Sequence, residues 1–203
     1  NQVAVTNQAA TSFVLTGYYA ASPNWWFYME ANYNCPGATV LQSDTVDNLN
    51  PAVPQIVNVT VTPAGDVIFN WLPSTSAQTQ QYVVYYFLPN NGLAVPIDSV
   101  AGRFNTTYTD LFGQFSDPTT QSIYFTVAAK DSCGKISSFN TLPHNTIYAT
   151  ASSQACQSQV NLAWNRYINW PLGVLRYEIW ASRNDSAFSF VASVDTSSLV
   201  YNY

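Results

Sequence analysis

The chain has 203 residues, of which 47% are hydrophobic and only 8% charged, and its 6 Lys and Arg against 11 Asp and Glu give a net charge of -5. Nucleic-acid binding, which requires clustered basic side chains, is disfavoured by this sparse and scattered positive charge. No stretch approaches the roughly 18 consecutive apolar residues of a membrane span, so membrane insertion is not expected. Asn, Gln, Ser and Thr must cover the surface instead, which is typical of extracellular β proteins.

The first strong pattern in chain order is an alternating strand in the first 53 residues. Trp25, Phe27 and Met29 occupy every second position, while Trp26 and Tyr28 lie between them. Side chains alternate between the two faces of a strand, so the first three are predicted to point inward and the other two outward.

The central segment, 54–148, contains seven predicted short strands, several with the same alternation, and turn signals such as Asn90-Asn91-Gly92 separate them. Seven short strands in about 95 residues indicate an antiparallel β-sandwich. The predicted strands lie near 57–61, 67–71, 82–86, 95–100, 106–109, 123–129 and 137–140.

The sequence contains an internal repeat whose units do not begin and end at the two ends of the chain. Trp25–Gly37 aligns with Ile123–Gly134, and Asp66–Trp71 aligns with Gln159–Trp164, at offsets of 98 and 93 residues. A period of this size is one small β domain. The predicted organisation is therefore the C-terminal half of a module in 1–53, a complete module in 54–148 and the N-terminal half of a further module in 149–203.

Neither half-module should be stable alone, because half a sandwich leaves a hydrophobic face and several strand edges uncovered. Two interpretations remain open at this point. The chain is a piece of a longer array of modules, or the two halves complete each other within one chain or between chains.

The residues resemble the fibronectin type III family in two places. A strand carrying Trp71 or Trp164 is followed by a strand opening on Tyr82 or Tyr177, and 123–138 reads IYFTVAAKDSCGKISS. The resemblance implies tandem immunoglobulin-like antiparallel β-sandwiches, an all-β fold.

A run of about 50 residues is similar to the fibronectin-like modules of Bacteroidota surface proteins associated with gliding motility and type IX secretion. It contains a D-S-C-G turn at 131–134, His-x-Thr-Ile at 144–147, Cys156, Leu-x-Trp at 162–164 and a Y-x-x-W-x-x-G-V-x-x-Y-x-I stretch at 167–179. The resemblance implies an extracellular, cell-surface location.

The cysteines are interpreted within that resemblance. Cys133 and Cys156 flank the junction between the second and third modules, where a disulfide would fix the angle between them, with two free thiols as the alternative. Cys35 has no equivalent partner, since Pro63 stands at the corresponding position, and is expected to be unpaired. None of the three has the CxxC spacing of a zinc site.

Catalytic and metal sites are not expected. His144 is the only histidine, so it would have to be the base of any Ser-His or Cys-His system, and its place in the His-x-Thr-Ile element favours a hydrogen bond in the linker. Asp110, Asp117 and Asp131 lack the spacing of a calcium loop and are interpreted as solvated loop carboxylates. No cofactor and no metal is predicted.

Surface sites are the remaining candidates. Trp26 and Tyr28 are candidate ligand-contact aromatics, although core or interface packing is the favoured interpretation, and Trp170 is interpreted as loop packing. Asp-Ser/Thr-aliphatic triplets make Thr45, Ser99 and Ser186 candidate sites of O-linked glycosylation.

These observations predict a non-catalytic spacer or adhesion-stalk segment of a large secreted cell-surface protein, with a glycan-binding module as the alternative. The expected partners are neighbouring modules of the same or another chain, surface polysaccharide or another cell-surface protein.

Overall fold

A computed structural model describes residues 12, 14, 25–31, 41–43, 46–47, 49–154, 159–184 and 186–203. Every regular element in these ranges is a β-strand, so the fold class is all-β, and all of the strand pairs are antiparallel. Across the same ranges no helix is long and apolar enough to cross a membrane. The chain divides into two compact units, Asn1–Leu49 and Asn50–Tyr203.

The described part of the first unit is a β-hairpin. Strands β1 and β4 pair through Trp26↔Asp47 and Phe27↔Val46, and strands β2 and β3 continue the hairpin through Glu30↔Gln42. The four strands are β1 (Trp26–Phe27), β2 (Glu30–Ala31), β3 (Leu41–Gln42) and β4 (Val46–Asp47).

The second unit begins with a complete sandwich, called here the central sandwich. Its strands are β5 (Ile56–Val61), β6 (Val67–Trp71), β7 (Thr79–Leu88), β8 (Leu93–Ala101), β9 (Thr107–Asp110), β10 (Tyr124–Asp131) and β11 (His144–Asn145). One sheet has the order β5-β6-β9, and the other has the order β11-β10-β7-β8. This arrangement of three strands on four confirms the predicted antiparallel sandwich.

Aromatic side chains from both sheets fill the central core. Phe69 on β6 stacks on Phe125 of β10 at 5.5 Å between ring centroids, and Trp71 meets the edge of Tyr82 at 5.3 Å. All four side chains are at most 2% exposed. The alternation of β6 explains this packing, because Val67, Phe69 and Trp71 are buried while the residues between them are not.

The closing strand differs from the predicted one at 137–140. The paired residues are His144 and Asn145, and the only bridge near the predicted position in this described stretch joins Ile136 to Lys130. Ser137 and Asn140 still donate backbone hydrogen bonds to Ala129 and Val127. The Ser137 hydroxyl accepts from the Ala129 N–H, so a local side-chain bond replaces part of the ladder there.

Five more strands follow, called here the C-terminal strands. They are β12 (Ala149–Gln154), β13 (Gln159–Trp164), β14 (Tyr177–Ala181), β15 (Ser189–Val194) and β16 (Val200–Asn202). They form a three-stranded sheet, β12-β13-β16, and a separate hairpin, β14-β15. Trp164 meets the edge of Tyr177 at 5.7 Å and 65°, the same interplanar angle as between Trp71 and Tyr82.

Strand registers reproduce the sequence repeat. Phe69↔Tyr108 in the central sandwich corresponds to Leu162↔Tyr201, 93 residues later, while Phe125↔His144 corresponds to Phe27↔Val46, 98 residues earlier. The hairpin of the first unit thus matches β10-β11, and the C-terminal strands match β5 to β9.

Among the described residues, the C-terminal strands have fewer pairing partners than their counterparts in the central sandwich. In the central sandwich β7 pairs with β8 and β10, whereas among the described residues β14 pairs with β15 alone. Trp164, Leu162 and Ile179 belong to the rows equivalent to the central core but are only partly buried. The packing is incomplete on the side that β10 covers in the central sandwich.

Candidate functional site: the inter-module junction

Tyr167 joins the C-terminal segment to the central sandwich through its side-chain hydroxyl. It lies in the loop between β13 and β14, is 8% exposed, and its hydroxyl accepts a 2.8 Å hydrogen bond from the Val59 N–H. Val59 belongs to β5, an edge strand. Because alternate N–H groups of an edge strand face away from the sheet, Tyr167 supplies a partner that the ladder cannot provide.

His144 extends this contact into a chain of hydrogen bonds. Its Nδ1 lies 3.0 Å from the Tyr167 hydroxyl, the two rings meet edge to face, and His144 is 2% exposed. The hydroxyl accepts from Val59 and retains its own proton, so it can donate to Nδ1 when the proton of neutral His144 is on Nε2. The predicted linker hydrogen bond of His144 is confirmed.

The protonation states at the junction follow from burial. Burial lowers the pKa of His144, and a hydrogen bond with the Asn169 backbone opposes this effect only in part. Burial likewise raises the pKa of Tyr167, against the opposing hydrogen bond from Val59. Both groups are therefore neutral at pH 7, and the chain from Val59 to His144 consists of uncharged partners.

Three asparagine side chains bind backbone groups across the same junction. Asn145, which is fully buried, donates to the Arg166 carbonyl at 3.0 Å and accepts from the Ile168 N–H at 2.9 Å. Asn165 donates to the Thr146 carbonyl at 3.1 Å. A primary amide can donate and accept at once, and two of these side chains do so: Asn145 as above, and Asn165, whose Oδ1 accepts from the Tyr148 N–H at 2.5 Å.

Asn169 completes the contact with an unusual backbone conformation. Its φ is +62°, in the left-handed region that Asn tolerates better than most residues, and its side chain donates to the Pro143 carbonyl at 2.7 Å. The next residue, Trp170, packs against the Tyr167 ring at 5.5 Å but remains 47% exposed. Loop packing, as predicted, accounts for one side of the Trp170 ring.

The predicted disulfide can be followed at one end only. Cys133 is exposed and free, and the Asp131 carboxylate accepts a hydrogen bond from its N–H in the turn that follows β10. Cys156 and Cys35 lie outside the described residues. The pairing of Cys133 with Cys156 stays a prediction.

The candidate ligand-contact aromatics lie on the first unit's hairpin. Trp26 is 58% exposed and Tyr28 is 55% exposed, while Trp25 and Phe27 are half-buried and stack at 6.4 Å. The predicted alternation is confirmed for these four residues. It fails at Met29, which is 76% exposed, because within the described residues of this unit no second sheet faces the hairpin.

Two of the three candidate glycosylation residues are described. Ser99 is exposed on β8, and Ser186 is exposed in the turn before β15, where its hydroxyl accepts from the Arg183 N–H. Thr45 lies outside the described residues. Modification of any of them stays a prediction.

The interpretation of the three aspartates as solvated is wrong for two of them. Asp110 is 1% exposed and accepts from the Tyr86 hydroxyl, and Asp131 is 7% exposed and accepts from the Cys133 and Lys135 N–H groups. Their loops fold back over them, so backbone and hydroxyl donors replace water. No group of three potential metal ligands occurs among the described residues.

Sequence reasoning missed the asparagines of the junction. The available signal was the run Asn165 to Trp170 directly after a strand, because short amide side chains beside strand ends commonly bond to backbone. Their partners lie about 20 residues earlier in the chain, which no local pattern reveals.

Comparisons with known proteins find a weak structural similarity. No protein-family profile matches the chain, and no curated protein matches it. Among solved structures, the FN1-FN3 domains of chicken CNTN1 are 13% identical, with a TM-score of 0.37, over 88% of this chain and 66% of that one. The fold assignment therefore rests on the strand order and registers described above.

Proposed function

We propose that the chain is a non-catalytic structural spacer or adhesion-stalk segment of a large secreted cell-surface protein, built from fibronectin type III-like modules. The observation that carries the proposal is the Tyr167 contact, in which one side chain binds Val59 and His144 of the preceding module. A spacer requires a junction of defined geometry, and this one is built from specific hydrogen bonds.

The junction supports stiffness rather than free linkage. A flexible linker is rich in Gly and Ser and has no fixed partners. Here the linker residues Asn145 and Thr146 are fully buried and bonded to the loop at 165–169. Successive modules joined in this way would hold a set angle and give the parent protein a defined reach.

The test is small-angle X-ray scattering on the full chain. We expect the wild-type profile to fit a single arrangement of the central sandwich and the C-terminal strands, and the Asn145→Ala, Tyr167→Phe double variant to need several. The Asn91→Ala, Tyr203→Phe variant, altered at two exposed residues, is the control. A wild-type profile that already needs several arrangements would contradict a rigid spacer.

The relation to Bacteroidota gliding and type IX secretion proteins is part of the proposal. Its support is that His144 and Tyr167, from separate parts of the similar run, contact each other. Protease treatment of intact cells of the source organism should cleave the parent protein if it is extracellular. Intact-mass and peptide analysis of the native protein would detect O-linked glycan on Thr45, Ser99 or Ser186.

The edge of β14 opposite β15 has no partner strand in the described part of the chain, which supports a neighbouring module as partner, from the same or another chain. A two-stranded hairpin with an alternating apolar row would supply the missing strands and cover Ile179. If a second copy is that partner, sedimentation should show association that weakens in Ile179→Asp, on the inward row, more than in Trp180→Asp, on the outward row. If the chain sediments as a monomer at every concentration, a second copy is not the partner, and the partner is a different module.

Glycan binding through the first unit's hairpin is the second candidate function. Its specific support is the exposure of Trp26 on β1 and of Tyr28, two residues later between β1 and β2. Binding to a polysaccharide panel should then be lost on Trp26→Ala. Binding that survives this substitution would remove the hairpin as the site.

A further inference from the structure

A groove of about 560 Å³ lies beside the junction, between the edge of β5 and the start of β14. Its volume is that of a small-molecule site, and such sites are common where domains meet. Its lining includes Val59–Val61 and Tyr167, together with Trp170, Arg176 and Glu178. None of these residues is in the hairpin that carries Trp26 and Tyr28.

The Trp170 ring is held in place and still presents a surface. Contact with Tyr167 at 5.5 Å fixes one part of the indole, and 47% of the residue remains exposed. Since Tyr167 is itself anchored by Val59 and His144, the ring is preorganised by the junction. A rigid aromatic ring beside polar groups suits a ligand with one apolar face.

An ion pair supplies the polar groups. Arg176 donates to Glu178 through Nε at 2.8 Å and Nη2 at 2.7 Å, and both bonds end on the same oxygen, Oε1. The side chains are 54% and 36% exposed. The pair leaves Oε2 of Glu178 as an acceptor and the Nη1 N–H groups of Arg176, which point away from the carboxylate, as donors for the hydroxyl groups of a ligand.

Charge and backbone geometry decide the class of ligand. One cation and one anion cancel within the groove, which gives no preference for an ionic ligand. An extended peptide adding to β5 would need the outward-facing N–H of Val59, and Tyr167 already occupies that donor. We propose that the groove binds a neutral oligosaccharide, with one sugar ring stacked on Trp170 and its hydroxyls bonded to Arg176 and Glu178.

The test uses the full chain and neutral oligosaccharide probes, namely the hexasaccharides of cellulose, xylan, mannan, starch and chitin at millimolar concentration. Nuclear magnetic resonance should show shifts of the Trp170 indole N–H and the Arg176 and Glu178 amides with at least one probe. Trp170→Phe keeps a ring against Tyr167 but shortens the stacking surface. Glu178→Gln removes the charge and leaves the junction intact.

Each of these two variants should raise the Kd about tenfold, which is a loss of about 1.4 kcal/mol of binding free energy. Trp180→Ala, a 51% exposed tryptophan outside the groove lining, should bind like wild type. Thermal melting of each variant confirms folding. The proposal is overturned if no probe shifts these signals, if only anionic sugars do, or if Glu178→Gln binds as tightly as wild type. Loss of binding on Trp26→Ala alone would place the site on the hairpin instead.

Discussion

Replacing Tyr167 by Phe removes one oxygen atom from the middle of the junction. The Val59 N–H loses its 2.8 Å acceptor and the His144 Nδ1 loses its 3.0 Å donor, while the ring contacts remain. Leaving a buried polar group without a partner costs about 1–3 kcal/mol. Since Val59 is 4% exposed and His144 2% exposed, water cannot readily replace the hydroxyl. We expect the free energy of unfolding to fall by about 1–3 kcal/mol.

The assay is urea unfolding combined with amide hydrogen exchange. Exchange at the Val59 amide should accelerate in Tyr167→Phe, while the Phe69 amide in the interior of the same sheet should change much less. Tyr203→Phe, at a residue 63% exposed, is the matched control and should match wild type. An unfolding free energy within a few tenths of a kcal/mol of wild type, with Val59 exchange unchanged, would refute the reasoning.

Three further predictions concern other groups. Burial holds the pKa of His144 below its usual 6.5, so the stability that neutral His144 contributes is present above about pH 6.5 and is lost as the pH falls through the lowered pKa. The urea midpoint should therefore drop on acidification, and it should drop less in His144→Gln. In calorimetry, Trp71→Ala should lower the free energy of unfolding by about 3–5 kcal/mol, and Trp164→Ala by less than half of that because the Trp164 side chain is only partly buried. Equal losses would contradict incomplete packing of the C-terminal strands. Non-reducing peptide mapping of the native protein should recover Cys133 joined to Cys156, and alkylation of both would disprove the bridge.

Alternation was the signal that made the central sandwich predictable. Val67, Phe69 and Trp71 are inward-facing on sequence grounds alone, and the structure buries all three. The sequence also matched the strand that opens on Tyr177 to the one that opens on Tyr82, which are β14 and β7. A strand with one buried face specifies its own register, because a slip of one residue would expose the whole row.

The closing strand was misplaced because local polar bonding competed with the ladder. The Ser137 hydroxyl accepts a hydrogen bond from the Ala129 N–H in place of a regular ladder bond. The chain rejoins the sheet only at His144. The burial of Asp110 was equally out of reach, since one of the hydroxyl groups bonded to its carboxylate belongs to Tyr86, 24 residues earlier. Contacts between distant polar groups leave no periodic trace in the sequence.

The junction combines a predictable part with one that is not. The sequence indicated that His144 belongs to a linker, but not that Tyr167 would reach it from beyond the next strand. A tyrosine in a loop is equally compatible with an exposed position. The contact of Tyr167 with the central sandwich depends on β5 being an edge strand, whose Val59 N–H points away from the sheet.

The central claim is that the junction holds the central sandwich and the C-terminal strands in one orientation. Residual dipolar couplings measured on the full chain test it directly, because each rigid body reports its own alignment tensor. We predict that one tensor fits the amides of 56–145 and of 159–181 together, and that Tyr167→Phe with Asn145→Ala separates them. Two tensors of different magnitude in the wild-type chain would contradict the claim.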